Sequence, residues 1–301
     1  MIYGSLCSGI EAASVAWQRL GWECAFVSEI DPYCCSLLSQ RYPETTNLGN
    51  ACNIKSVPRI DVLVGGTPCQ SFSIEGIRTG FSDDRGVLAL HFLRVVHLAS
   101  PRFVVWENVP GVLSSEGGRD FGTLLGGLEE LGYGWAYRTV DARFFGGPHQ
   151  RRRVFVVGCS GGRFDIAARA LFELEHPVQD PGASRKIRKS TAAWYGASVN
   201  RAYGVSGDET PKFVLDASPT LRASQGGEGN IVWRHLSEWE RRRRFSVTEH
   251  ERIMGFPDGY TLIEHQGKPA SDRVRKHAIG NSMDTRVMRW LGERIQISQR
   301  S

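Results

Sequence analysis

The chain has 301 residues, 41% of them hydrophobic and 23% charged, with a net charge of +5. That balance belongs to a globular protein with one large core or a large and a small domain, and it excludes a disordered or fibrous chain. No apolar run approaches the roughly 18 residues of a spanning helix, and the first residues lack a basic segment, so neither a membrane span nor a signal peptide is expected.

The first apolar run, 2–6, predicts a strand. It passes through Leu6-Cys7-Ser8-Gly9-Ile10-Glu11 into helical periodicity over 11–20. A tight turn of small residues from a first strand into a helix is a nucleotide-type binding element, with Leu6, Cys7, Gly9 and Ile10 as candidate contacts. A second strand, 25–28, ends in Glu29-Ile30-Asp31, where an acid can accept from ribose hydroxyls. A solvated carboxylate at a strand end is the equal alternative. No basic residue flanks the turn, so a cofactor with a ribose and no phosphates fits it best. A helix over 32–40 follows, then a strand at 62–64 that runs into Gly65-Gly66-Thr67-Pro68-Cys69-Gln70-Ser71-Phe72-Ser73. A helix over 86–99 leads to a strand at 103–106, which delivers Glu107-Asn108-Val109. A helix at 121–131 and strands at 136–141 and 154–158 complete the first half. This alternation predicts an α/β fold with a doubly wound, mostly parallel sheet.

Residues 160–235 are different: polar, rich in Gly, Ser and Arg, and without a sustained period. They predict a second, small irregular domain or a long functional insertion. Helices at 248–254, ending at Gly255-Phe256-Pro257, and near 287–295, after Gly280-Asn281-Ser282, close the chain. The expected domains are therefore 1–159 plus 236–301, and 160–235. Basic residues cluster at Arg151, Arg152 and Arg153, at Arg185, Lys186, Arg188 and Lys189, and at Arg241 to Arg244. One such cluster is as often a solvated face; three in one half favour a polyanion such as nucleic acid. The seven cysteines form no C-x-x-C pair, which predicts no metal site and a reduced compartment.

Cys69 and Glu107 carry the chemistry. Each follows a buried strand, at the sheet rim where open α/β folds bind ligands. A buried Cys is usually inert filler, but a Pro-Cys pair at a strand end opposite a carboxylic acid suits addition to an electron-poor ring. Thiolate is the attacking form, and a buried Glu107 is suited to donate a proton. The Gly-punctuated stretch 71–88 is a candidate lid.

With these motifs in this order, the chain resembles the cytosine-5 DNA methyltransferases of bacterial and phage type over nearly its whole length. The turn at 5–13 is similar to their S-adenosylmethionine motif, 65–73 to their catalytic loop and Glu107-Asn108-Val109 to their ENV motif. His149-Gln150-Arg151-Arg152-Arg153 resembles their Q-x-R-x-R segment. Arg244 through Gly255-Phe256-Pro257 resembles a scaffold motif, and Gly280-Asn281-Ser282 the closing GNS motif. The resemblance implies that Cys69 adds to C6 of a flipped-out cytosine in double-stranded DNA while Glu107 engages N3. C5 then takes the methyl of S-adenosylmethionine, and loss of the C5 proton expels Cys69 and leaves S-adenosylhomocysteine as co-product. It implies Arg151 at the cytosine O2, with Arg153 supporting the same pocket or the adjacent phosphates. The implied cofactor contacts are Leu6, Cys7, Gly9, Ile10, Glu29 at the ribose, Ile30, Asn50 at the adenine amine, Pro68, and Asn281 with Ser282 at the methionine end. The implied DNA contacts are Gln70, Ser71, Ser73 and Arg85, with Arg185, Lys186, Arg188 and Lys189 in a target-recognition region over 160–235 that reads a short site. A monomer in a prokaryotic or phage-infected cytoplasm is the implied setting; a companion restriction endonuclease is not deducible.

The chain also departs from the family pattern. Glu11 and Ala12 stand where glycines are common, so a carboxylate either sits close to the cofactor or faces solvent. Asn50 replaces an aspartate, Thr67 the first proline of a PPC form and His149 a glutamine. Met283-Asp284-Thr285-Arg286 lacks the small-residue and proline pattern. Two rival readings remain: the same chemistry on tRNA, and a nucleic-acid-binding protein on a decayed scaffold.

Overall fold

The computed structural model describes residues 1–67, 88–172 and 243–299, together with strands at 201–205, 213–215 and 231–233. Seven strands form one sheet: β1 (Ile2–Leu6), β2 (Glu23–Ser28), β3 (Thr46–Asn47), β4 (Val62–Gly65), β5 (Phe103–Asn108), β6 (Tyr133–Asp141) and β7 (Arg152–Ser160). Their order is β3-β2-β1-β4-β5-β7-β6. β1 runs parallel to β2 and to β4, β4 parallel to β5, and β7 antiparallel to β5. The doubly wound, mostly parallel sheet expected from the alternation is present.

β4 and β5 are buried along their whole length, as strands covered on both faces must be. Phe92, Val95 and Val96 of the helix Leu88–Ala99, and Phe121, Leu124 and Leu128 of the helix Arg119–Glu130, pack on Leu63, Val104 and Trp106. Each such side chain contributes about 1.5–3 kcal/mol on burial. After β1 the chain winds outward through β2 and β3, then returns to lay β4 on the other side of β1. The sheet reverses its winding there, and the ends of β1 and β4 bound the crevice where such folds hold ligands.

The chain divides into two compact units, Met1–Thr139 with Arg153–Leu174 and Arg289–Ser301, and Val140–Arg152 with Glu175–Met288. The first contains most of the large sheet. It also includes the helix Phe164–Leu171, whose Ile166, Ala167, Ala170 and Leu171 are buried. Regular structure thus extends into the segment expected to be irregular.

The second unit contains β8 (Arg201–Val205), β9 (Phe213–Leu215), β10 (Ile231–Trp233) and β11 (Arg243–Arg244), which form an antiparallel sheet of order β11-β10-β8-β9. Strands of two to five residues between polar stretches leave no readable period, which is why the sequence reads as irregular. The helix Val247–Met254 opens with a capping box, Ser246 with Glu249, and closes on Gly255. Fully buried Glu251 accepts from the Gly259 and Thr261 amides, both at 2.8 Å, and from Arg275 at 3.3 Å. The helix Asp272–Asn281 was not expected, because its apolar residues are outnumbered by charged ones. Its Arg275 is buried by that pairing with Glu251.

Gly255 has φ +81, and a Cβ there would run into the Thr285 hydroxyl, which donates to the Gly255 carbonyl at 2.8 Å. Gly255→Ala is expected to cost at least about 1–2 kcal/mol from the left-handed conformation alone. A melting temperature at least about 2 °C below wild type is the expected readout; an unchanged midpoint would refute the role assigned to this turn.

Candidate active site

In the first unit the turn after β1 is strained and braced. Cys7, Gly9 and Glu11 all have positive φ, of 52, 55 and 60, a conformation that L side chains resist. Glu29, at the end of β2, braces this turn: its carboxylate accepts from the Gly9 amide at 2.6 Å, Ile30 at 2.7 Å and Asp31 at 2.8 Å. A carboxylate offers about four acceptor positions, so these contacts leave room for another donor. Asn47, overlooked in the sequence, holds the same corner. Its Oδ1 accepts from the Glu29 amide at 3.1 Å and the Gly49 amide at 2.9 Å, while its Nδ2 donates to the Glu29 carbonyl. Leu6, Cys7, Gly9, Ile10, Glu29, Ile30 and Asn50 gather on the β1, β2 and β3 ends. Ile10 is fully buried, and Ile30 is 67% exposed, an apolar side chain open beside the acid. Asn50 caps the short turn Ala51–Asn53, its oxygen accepting from the Cys52 amide at 2.9 Å.

Glu11 neither faces solvent nor stays open beside the turn; it is 1% exposed. Its Oε1 accepts from the Ser14 amide and hydroxyl, both at 3.2 Å, and so caps the helix Ala12–Trp17. The Tyr3 hydroxyl meets Ser14 Oγ at 2.6 Å behind it. Burial pushes the Glu11 carboxyl up to about 7, with the Glu29 charge adding to it and hydrogen bonds from Ser5 and Ser14 opposing it. Because the folded group holds its proton longer than the unfolded one, stability falls as pH rises from the ordinary carboxylate range through about 7. Between pH 5 and 8 the loss is roughly 2–3 kcal/mol. Glu11→Gln is expected to flatten that slope, read as urea midpoints at the two pH values; an equally steep variant would place the pH dependence elsewhere.

Thr67 is clamped from β5. Trp106 Nε1 donates to its hydroxyl at 3.0 Å, and Asn108 Nδ2 donates to its carbonyl at 3.0 Å. The departure from the family's first proline thus supplies an acceptor for a buried indole, a role the sequence did not reveal. Glu107, between those two β5 residues, is buried and forms an ion pair at 3.1 Å with Arg153 Nε of β7. The two strands bring them together through the register Glu107↔Phe155. Pro68, Cys69, Gln70, Ser71, Ser73, Arg85, Arg185, Lys186, Arg188 and Lys189 lie outside the described residues. Among the described cysteines, burial pushes the Cys7 and Cys24 thiols up to about 12 and raises those of Cys34, Cys35 and Cys159. They stay protonated at neutral pH and are poor nucleophiles.

In the second unit Arg151 is 3% exposed. Its guanidinium donates to the Gly280 carbonyl at 3.2 Å and the Ser282 carbonyl at 2.5 Å. Two nitrogens of the arginine that the resemblance assigns to the cytosine O2 hold the GNS backbone. Asn281 is exposed, its amide 3.1 Å from His277 Nε2, while Ser282 is buried. Among the described residues no group of three or more His, Cys, Asp or Glu side chains could hold a metal, and no helix is long and apolar enough to cross a membrane.

Comparisons with known proteins identify the family. The C-5 cytosine-specific DNA methylase family matches residues 1–190 and 179–297. The chain belongs to that family. It is 28% identical, over 98% of its length, to a phage P1 protein named DNA N-6-adenine-methyltransferase. It is 27% identical, over 97% of its length, to the Bacillus subtilis type II methyltransferase M2.BsuMI. It spans only 61% of the phage protein and 74% of the Bacillus one. In fold it is similar to a DNA modification methyltransferase encoded within an E. coli prophage, with TM-score 0.68, 18% identity and all of both chains covered.

Proposed function

We propose that the chain transfers a methyl group from S-adenosylmethionine to C5 of a flipped-out cytosine in double-stranded DNA, within a short sequence. The observation that carries this reading is the pairing of Glu107 with Arg153 on adjacent strands, beside a β4 end clamped at Thr67, two residues before Cys69. Cys69 is the nucleophile. Its thiolate adds to C6, and Glu107 engages N3, so the ring's electrons move toward C5. Arg153 orients Glu107 and takes the place at the cytosine carbonyl that the sequence suggested for Arg151. After transfer a base removes the C5 proton, and the returning electrons expel Cys69.

The residues present fit the cofactor. The turn at 7–11 shows no basic residue for a phosphate, Glu29 retains acceptor capacity for a ribose hydroxyl, and Ile30 is an exposed apolar surface for a purine. When bound, S-adenosylmethionine supplies an electrophilic methyl. Asn50 is assigned to the adenine amine, and Asn281 and Ser282 to the methionine end. Residues 160–235 are assigned to target recognition, with Arg185, Lys186, Arg188 and Lys189 on DNA, and Gln70, Ser71, Ser73 and Arg85 beside the flipped base. The adenine chemistry in the phage relative's name is not adopted: an exocyclic amine attacks the methyl directly, which leaves Cys69 and Glu107 without a task.

The test is bisulfite sequencing of mixed-sequence duplex DNA incubated with the protein and S-adenosylmethionine. Protected cytosines in one recurring context are expected. No protection on duplex DNA, together with methylated cytosine in RNA, would overturn the choice of substrate.

A further inference from the structure

Glu11 stands where the family commonly has glycine, and the mechanism above gives it no task. It closes the cofactor turn: its amide donates to the Ser8 carbonyl at 2.9 Å, and its φ of 60 is one that L side chains resist. Its side chain turns inward and is 1% exposed. The groups that act on it are Ser5 and Tyr3 of β1, Cys24 of β2, Ser14 of the helix it caps, and Glu29 at the end of β2. Burial keeps the protons on Tyr3 and Cys24, so Glu29 is the charge in that set, and it repels. Glu29 itself holds the Gly9 amide at 2.6 Å. The turn thus carries two carboxylates, one on its Gly9 amide and one at its end, and no cation among these groups. All of these residues belong to the first unit.

S-adenosylmethionine differs from S-adenosylhomocysteine by one methyl and by the positive charge that this methyl puts on sulfur. We propose that Glu11 is a specificity-determining residue, whose buried carboxylate favours the sulfonium of the methyl donor over the neutral thioether of the product. The attraction acts through the field and needs no contact. Two unit charges roughly 10 Å apart in a protein interact strongly enough to change affinity about tenfold. Only the ionised carboxyl attracts, and this one titrates near 7. The preference for the donor is therefore small below that pH and rises as pH passes through it. By the same linkage, binding of the sulfonium releases a proton from Glu11 to solvent. This inference rests on the proposed cofactor reading for its ligand.

The test is titration of S-adenosylmethionine and S-adenosylhomocysteine into wild type and Glu11→Gln at pH 6 and pH 8. In wild type the preference for the methyl donor should rise about fivefold between the two, the gain from a roughly tenfold effect on a group that titrates near 7. In Glu11→Gln, which keeps an acceptor for the cap and cannot ionise, that rise should vanish. The ligands' own amines titrate alike in both proteins and drop out of the comparison. A role in capping or packing alone would shift both ligands together and leave their ratio unmoved. No rise in wild type, or an equal rise in Glu11→Gln, would overturn the inference and leave the cofactor reading intact. Failure of wild type to bind either ligand would overturn both. Should the variant not fold, calorimetry of wild type at pH 7 in two buffers of different ionisation enthalpy decides. Release of roughly 0.4 of a proton more by the methyl donor than by S-adenosylhomocysteine supports the inference, and equal release overturns it.

Discussion

Cys69→Ala is expected to lower methyl transfer by at least four orders of magnitude, about 5 kcal/mol in the barrier, while duplex binding stays close to wild type. The reason lies in the substrate. C5 of cytosine is a poor carbon nucleophile until something adds at C6 and turns the ring into an enamine. No oxygen or nitrogen side chain replaces a thiolate in that step at neutral pH, because thiolate combines availability with high intrinsic nucleophilicity. The other described thiols that titrate upward, Cys7, Cys24, Cys34, Cys35 and Cys159, are held protonated by burial. Transfer of labelled methyl into duplex DNA reads the activity, and a mobility shift reads the binding. A duplex carrying 5-fluorocytosine supplies a direct check, since its C5 has no proton to lose and the wild-type adduct should persist on a denaturing gel. Full turnover by Cys69→Ala would end the covalent mechanism.

Much of the fold was legible because its elements obey local rules. β1 was read at its observed limits, and β4 and β5 announce themselves as short apolar runs with β-branched residues. The helix Pro32–Arg41 opens on Asp31 as its cap and Pro32 in its first turn. The elements missed lack such signals. β3 is two residues long, and the helix Asp272–Asn281 hides its buried face behind Arg275, whose partner Glu251 is 24 positions away. The same distinction separates the parts of the site. Glu29 follows β2 and Glu107 lies in the last two residues of β5, so both could be placed by counting. The roles of Asn47, Thr67 and Trp106 depend on hydrogen bonds across strands, which no local pattern encodes. Glu11 shows the difficulty most plainly. In sequence it is a charge where glycine is usual; in the fold it is an inward-facing cap whose carboxyl titrates near 7.

Arg151 and Arg153 were separable only through their partners, and their replacement by Gln gives the sharpest contrast. Arg153→Gln is expected to lower kcat by roughly 100- to 1000-fold, the range for losing one positioned donor at a developing charge. The Arg153 Nε forms an ion pair with Glu107 at 3.1 Å. Cofactor binding should stay near wild type. Arg151→Gln is expected to act the other way, because it takes two donors from the Gly280 and Ser282 carbonyls. Under-satisfied buried carbonyls cost roughly 1–3 kcal/mol each, so stability should fall and the KM for S-adenosylmethionine should rise. At saturating cofactor the folded Arg151 variant should retain a kcat within about tenfold of wild type, if the role proposed for Arg153 at the cytosine carbonyl holds. The opposite pattern, with kcat collapsing in Arg151→Gln at unchanged stability and Arg153→Gln nearly normal, would return the carbonyl-binding role to Arg151. The two arginines are two positions apart in sequence, yet one ends on a carboxylate and the other on two carbonyls. A guanidinium serves whatever acceptor the fold brings to it, so the spacing that identifies the pair does not assign their tasks.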